Sequence, residues 1–242
     1  MTIVVGEVPM RPVPIAENDL AGRQGPAMDR LIAAMRSFAT AERAAREKLY
    51  QKSVWDHWGV PIPKMDVAIR QSLAGESVDC AFALAEALWR RPVWDLKMVA
   101  VRLLARRSVA PDDRLWRFIV ERMDDLDGWA VADNMAGVAS SCLLADPRRL
   151  DVVEGWVDSR HLWTRRAAFV FTLPWTKRDP ERTLGWAARL AGDPEWFIQK
   201  AIGWWLRELS KHDPDRVRRF LDDHGAPLKG VARREATKYL PR

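Results

Sequence analysis

Arg165-Arg166-Ala167-Ala168 and Gln199-Lys200-Ala201-Ile202 lie 34 residues apart, and the same interval returns in the punctuation around them. Asp-Pro occurs at Asp146-Pro147, Asp179-Pro180, Asp193-Pro194 and Asp213-Pro214. An aspartate accepts backbone amides at a helix N-cap, and the proline after it has no amide hydrogen to leave unpaired. Each pair therefore predicts a helix start, where the carboxylate also complements the helix dipole. Three of the pairs, at 146, 179 and 213, are spaced by 33 and 34 residues. Periods of this length belong to stacked helical hairpins, each of which buries its apolar face only against its neighbours.

Outward from this stretch the helical signal is nearly continuous. From Ala27 onward Ala, Leu, Arg and Glu dominate, apolar residues recur at three and four, and no convincing alternating strand interrupts them. The chain reads as all-α, about twelve helices in six degenerate pairs, stacked as one curved solenoid with a long concave surface. Residues 1–26 differ: Pro9, Pro12, Pro14 and Pro26 break any period, which predicts a flexible leader ahead of a single domain over 27–242.

Composition narrows the function classes. At 48% hydrophobic the 242 residues can bury a continuous core, which excludes a disordered chain. Two cysteines, Cys80 and Cys142, are too few for a disulfide scaffold and favour a reducing, cytoplasmic setting. No apolar run reaches the ~18–20 residues of a membrane helix, so no membrane partner is expected. Thirteen tryptophans are a surplus that asks for a reason. Thirty of the 39 basic residues are arginine, the planar fork suited to phosphate oxygens. The segment 160–242 carries a net +8 and the rest a net −2, which fits either a polyanion footprint or a solvated arginine-rich surface.

Several chemistries lack their residues. The four histidines and two cysteines have no zinc spacing, so no metal is expected. No two glycines sit two apart, which removes the dinucleotide pattern, and there is neither a Walker A loop nor a nucleophile elbow. Carboxylates, aromatics and arginines remain. Trp129 and Asp133 are four apart in Trp129-Ala130-Val131-Ala132-Asp133 and share one helix face. The segment Glu195–Glu208, with Trp196, Phe197, Trp204 and Trp205, is too aromatic for a simple amphipathic surface helix. Periodicity alone does not decide whether each tryptophan is core or cleft.

The residues Phe197-Ile198-Gln199-Lys200-Ala201-Ile202-Gly203-Trp204 with Leu206-Arg207-Glu208, then Arg233-Arg234-Glu235-Ala236, resemble the AlkD-type alkylpurine DNA glycosylases. Upstream, Tyr50 with Lys52, Gly59-Val60 with Pro63, and Leu88-Trp89 with Pro92 fall where that family has like residues. The resemblance runs from about Tyr50 to the C-terminus. It implies a right-handed solenoid of HEAT-like antiparallel helix pairs with a concave DNA-binding face. It further implies a monofunctional glycosylase that excises positively charged N3- or N7-alkylated purines from double-stranded DNA without base flipping, for repair or self-resistance. Carried over by position, Asp133 is the catalytic carboxylate, and Trp129 and Trp204 are cleft tryptophans. Arg166, Arg165, Lys200, Tyr50 and Lys52 are DNA contacts. No cofactor is implied; a nucleoid-associated monomer is expected. Gly128 and Ala130 stand where the family commonly has Trp and Asp, and Pro61 replaces a polar residue, departures that bear on lesion preference. The alternatives are a non-catalytic HEAT-like protein that binds unusual DNA structures and a protein-binding solenoid.

Overall fold

The computed structural model describes residues 17–240. Thirteen α-helices follow one another among these residues: α1 (Glu17–Phe38), α2 (Ala41–Gln51), α3 (Ile62–Ser72), α4 (Val78–Trp89), α5 (Trp94–Leu104), α6 (Asp113–Val120), α7 (Trp129–Ala145), α8 (Leu150–Val157), α9 (Leu162–Phe171), α10 (Glu181–Arg189), α11 (Trp196–Ser210), α12 (Pro214–His224) and α13 (Gly230–Ala236). No sheet forms among them; one isolated bridge joins Asp56 and Val93. They stack as antiparallel helix pairs, the HEAT-like arrangement. Residues 1–16 of the expected leader lie outside the described residues, while 17–26 form the start of α1, so Pro26 falls inside a helix.

The Asp-Pro pairs meet the expectation in part: Asp213 caps α12 and Asp146 caps a 3-10 turn ahead of α8, whereas Asp179 and Asp193 stand one and two residues before the caps of α10 and α11. Asp146, Asp179, Asp193 and Asp213 each accept a backbone amide two or three residues ahead, at 3.1, 3.2, 2.8 and 2.9 Å. The helices that follow them belong to two rows. In one row α3, α5, α7, α9, α11 and α13 pack each on the next; α4, α6, α8 and α12 cover it from the other side. Helix α5, between α3, α4 and α7, is buried from Trp94 to Val101. Its charged Asp95 is fully buried because the Trp58 and Val60 amides both donate to it at 2.8 Å. A buried carboxylate needs such partners, and these pin the 57–60 segment.

The repeat is written a second time in ion pairs. Asp79–Arg114 at 2.5 Å, Asp113–Arg149 at 2.6 Å, Asp151–Arg182 at 2.8 Å and Glu181–Arg216 connect α4 to α6, α6 to the turn before α8, α8 to α10 and α10 to α12. Asp66–Arg102 at 2.5 Å, Asp133–Arg166 at 2.8 Å and Lys200–Glu235 connect α3 to α5, α7 to α9 and α11 to α13. Exposed pairs contribute about 0–1 kcal/mol each, so the first of these ladders sets register between repeats more than stability. Two glycines permit close approaches. Gly59, at φ +74°, admits the Thr40 carbonyl and Ala44 amide, and a Cβ on Gly203 would lie 2.7 Å from the Ala232 carbonyl of α13.

The tryptophan surplus is mostly core. Trp89, Trp94, Trp116, Trp156, Trp175, Trp186 and Trp205 are buried, and Trp116 stacks on Trp156 at 5.8 Å. Trp196 is not part of that core, being 51% exposed with an edge contact to Phe197.

Candidate active site

Three consecutive helices of one row, α7, α9 and α11, carry the site. Trp129 opens α7 and Asp133 follows one turn later. Arg166 of α9 grips Asp133 with a fork: Nε donates to Oδ1 at 3.1 Å and Nη2 to Oδ2 at 2.8 Å. Its remaining nitrogen, Nη1, donates to the Phe197 carbonyl at 2.9 Å, in the first turn of α11. One guanidinium therefore fixes the relative position of all three helices. The Arg166 side chain is 5% exposed and that of Asp133 20%, so the carboxylate presents an edge to solvent while its cation lies behind it.

Helix α11 divides its adjacent tryptophans. Trp205 is fully buried and its Nε1 donates to the Thr172 carbonyl at 3.1 Å. Trp204 remains half-buried, on the helix face shared with Phe197 and Lys200 at spacings of seven and four. Trp129 is half-buried as well, and Tyr50, 70% exposed at the end of α2, sets a ring edge against it at 6.2 Å and 87°. Lys52 caps α2 in the left-handed conformation, φ 52°, and is exposed.

The other expected DNA contacts are held by carboxylates. Arg165 pairs with Asp193 at 3.1 Å and donates to the Ser159 carbonyl at 2.6 Å. Lys200 pairs with Glu235, which also takes Arg207, and the Lys200 ammonium holds the Glu235 carboxyl below its ordinary range. Arg166, 4% exposed overall, is turned inward on Asp133. Gln199, from the same recognisable stretch, is structural: its Nε2 donates to the Ala191 and Asp193 carbonyls at 2.8 and 3.1 Å, and its Oε1 accepts the Lys229 amide.

A cavity of about 370 Å³ opens beside Trp129, lined by Glu47, Tyr50, Trp94, Met98, Ala130 and Asn134 among others. The alanine at 130 leaves this space clear. Burial pushes the Glu47 carboxyl up despite the nearby Arg43 guanidinium. Beneath it, His57 stacks on Trp94 at 5.1 Å and 16°, with both ring nitrogens buried and unpartnered. Trp94 and Asn134 are not visible as site residues in the sequence. Asn134 follows Asp133 directly, and successive helical positions point about 100° apart, so an i,i+4 pattern passes over it. Among the described residues no three His, Cys, Asp or Glu side chains gather into a metal-binding group. No helix among them is long and apolar enough to cross a membrane.

Comparison with known proteins places the chain in a family. The family model described as DNA alkylation repair enzyme matches residues 31–240. A predicted DNA alkylation repair enzyme from Enterococcus faecalis has a similar structure, with a TM-score of 0.72 at 22% identity, covering 84% of this chain and 97% of that one. AlkD2 from Streptococcus mutans aligns with a TM-score of 0.58 at 21% identity, over 84% of this chain and all of its own. The smu.31 protein of Streptococcus mutans UA159 aligns with a TM-score of 0.59 at 20% identity, over 89% of this chain and 100% of that one. At such identities the likeness is one of fold. No protein with a curated description matches the chain.

Proposed function

Because the chain belongs to the AlkD-type family of DNA alkylation repair enzymes, we propose that it is a monofunctional DNA glycosylase acting on positively charged N3- or N7-alkylated purines in duplex DNA. Residues 27–242 act as one domain and as a monomer, in repair or in self-protection against an alkylating agent. The observation that carries this reading is the Asp133 carboxylate, fixed from behind by the Arg166 fork and open at its edge, on the same row as two half-buried tryptophans.

The chemistry asks for little more. Alkylation at N7 or N3 puts a positive charge on the base, which then leaves as a neutral species when the N-glycosidic bond breaks. Positive charge develops on the sugar, as in other glycoside hydrolysis. A preoriented carboxylate stabilises that charge and orients the water that adds to the sugar carbon. The faces of Trp129 and Trp204 lie against the deoxyribose, and their ring quadrupoles attract the same developing cation. Water supplies the hydroxyl that replaces the base, its proton passes to Asp133 or to solvent, and no cofactor enters the balance.

Arg166 works here as a positioning residue, holding Asp133 in one orientation. Tyr50 and Lys52 are free to meet the DNA, whereas Arg165 and Lys200 reach a phosphate only while still paired with, or released from, the Asp193 and Glu235 carboxylates. A site approached from the sugar side leaves the alkylated base stacked in its duplex, so excision proceeds without base flipping. Incubation with duplex DNA carrying 7-methylguanine tests the proposal: free base and abasic sites are expected, and their absence at excess enzyme contradicts it.

A further inference from the structure

The sequence concentrates positive charge after residue 160, yet Arg165, Arg166 and Lys200 in that segment are held by carboxylates. Three arginines without an ion-pair partner also surround an open space in the other part of the chain. A groove of about 680 Å³ runs between α3, α5 and α7, and Arg70, Arg106 and Arg107 stand around it. No carboxylate among the described residues pairs with any of these three. The one acid in the groove, Asp66, is occupied by the Arg102 fork at 2.5 and 2.7 Å. Gly137 and Ser141 keep the α7 side low, and a Cβ added at Gly137 meets nothing within 4 Å.

Resting on the glycosylase reading above, we infer that this groove is the grip for the DNA backbone on one flank of the lesion, with Arg70, Arg106 and Arg107 as its phosphate contacts. Guanidinium forks match phosphate oxygens, and a concave wall between packed helices focuses their field. Asn134 lines both this groove and the cavity beside Trp129, which makes the two continuous along α7. Direction follows from chain order. The groove lies toward α3 and α5, and Trp204 lies on the opposite side of α7, beyond α9. The protein therefore holds the duplex asymmetrically about the reacting nucleotide. The near-neutral first part of the chain, by its charge count, thus contributes three phosphate contacts.

The test uses the full chain and a variant with Arg70→Ala, Arg106→Ala and Arg107→Ala together. Arg70 and Arg107 are exposed and Arg106 is half-exposed, so an unchanged thermal unfolding midpoint is expected and verifies the fold. Binding to undamaged duplex is measured over a salt series. The slope of log affinity against log salt should fall by about one unit for each phosphate that the variant no longer neutralises. Arg148→Ala, an exposed arginine paired with Asp146 away from the groove, serves as the control and should keep the wild-type slope. Duplexes with one 7-methylguanine are then shortened from either side. The wild type should lose affinity steeply from one side only, by roughly tenfold, and the triple variant should be indifferent to that side. A wild-type slope in the triple variant, equal losses from both sides, no binding of undamaged duplex, or tighter binding of polyglutamate than of duplex overturns the inference. Failure of the wild type to release 7-methylguanine contradicts the glycosylase reading instead, and the undamaged-duplex slopes still decide this one.

Discussion

Replacing Arg166 by methionine keeps most of its apolar length and removes the three donors that reach Asp133 and the Phe197 carbonyl. The Asp133 carboxylate is then left against packed helices without its cation. Removing one partner of a buried pair costs roughly 3–5 kcal/mol. Asp133 keeps 20% exposure, so water reaches one edge and the expected loss is at the low end, about 3 kcal/mol. For a domain of this size that is a fall in Tm of roughly 6–12 °C. Urea titration should show the midpoint falling with an unchanged m-value, the mark of lost stability without a change in the surface exposed. Adding Asp133→Leu removes the stranded charge, so the double variant should recover most of the loss. Base release by Arg166→Met should slow sharply while duplex affinity changes little. A variant that unfolds with the wild type refutes the buried fork. Weakened affinity with an unchanged rate would make Arg166 a direct phosphate contact.

Trp129→Ala and Trp204→Ala should slow base release at small cost in stability, because both rings are half-buried, whereas Trp205→Ala should cost about 3–5 kcal/mol; denaturant titrations of the three compare them directly. Burial holds the His57 imidazole below its ordinary pKa, so the unfolded chain binds the extra proton as pH falls and folding stability drops through the ordinary histidine range. His57→Phe, which keeps the stack on Trp94, should flatten that decline in a series of pH-dependent melts. The Cys142 thiol is pushed up to about 11 by burial and Cys80 is raised by the same cause, so neither should react with iodoacetamide at neutral pH until the chain unfolds. Rapid labelling of the native protein would contradict that placement.

The repeat was legible because each Asp-Pro aspartate accepts a backbone amide just ahead of a helix, although only Asp146 and Asp213 stand at a cap position. Trp129 and Asp133 were legible as a pair because helix geometry puts i and i+4 on one face. The partner of Asp133 was not legible: Arg166 lies 33 residues away and meets it only because α9 packs on α7. Net charge is coarse for a related reason. Ion pairs between repeats join an acid and a cation about one period apart, so counting charges along the chain cannot separate paired arginines from bare ones. Trp204 and Trp205 show the same limit at shorter range. One step along α11 separates a fully buried ring from a half-buried one, and neither residue type nor neighbourhood distinguishes them.

Asp133→Asn is nearly isosteric and keeps an oxygen for the Arg166 fork, so it tests the carboxylate with little disturbance of the fold. The decisive measurement is its single-turnover release of 7-methylguanine from duplex DNA, at a protein concentration where binding is complete. Wild-type affinity for the alkylated duplex is expected, with a rate lower by a factor of roughly 100 or more, the scale of one missing electrostatic stabiliser. Release at the wild-type rate would contradict the catalytic role of Asp133.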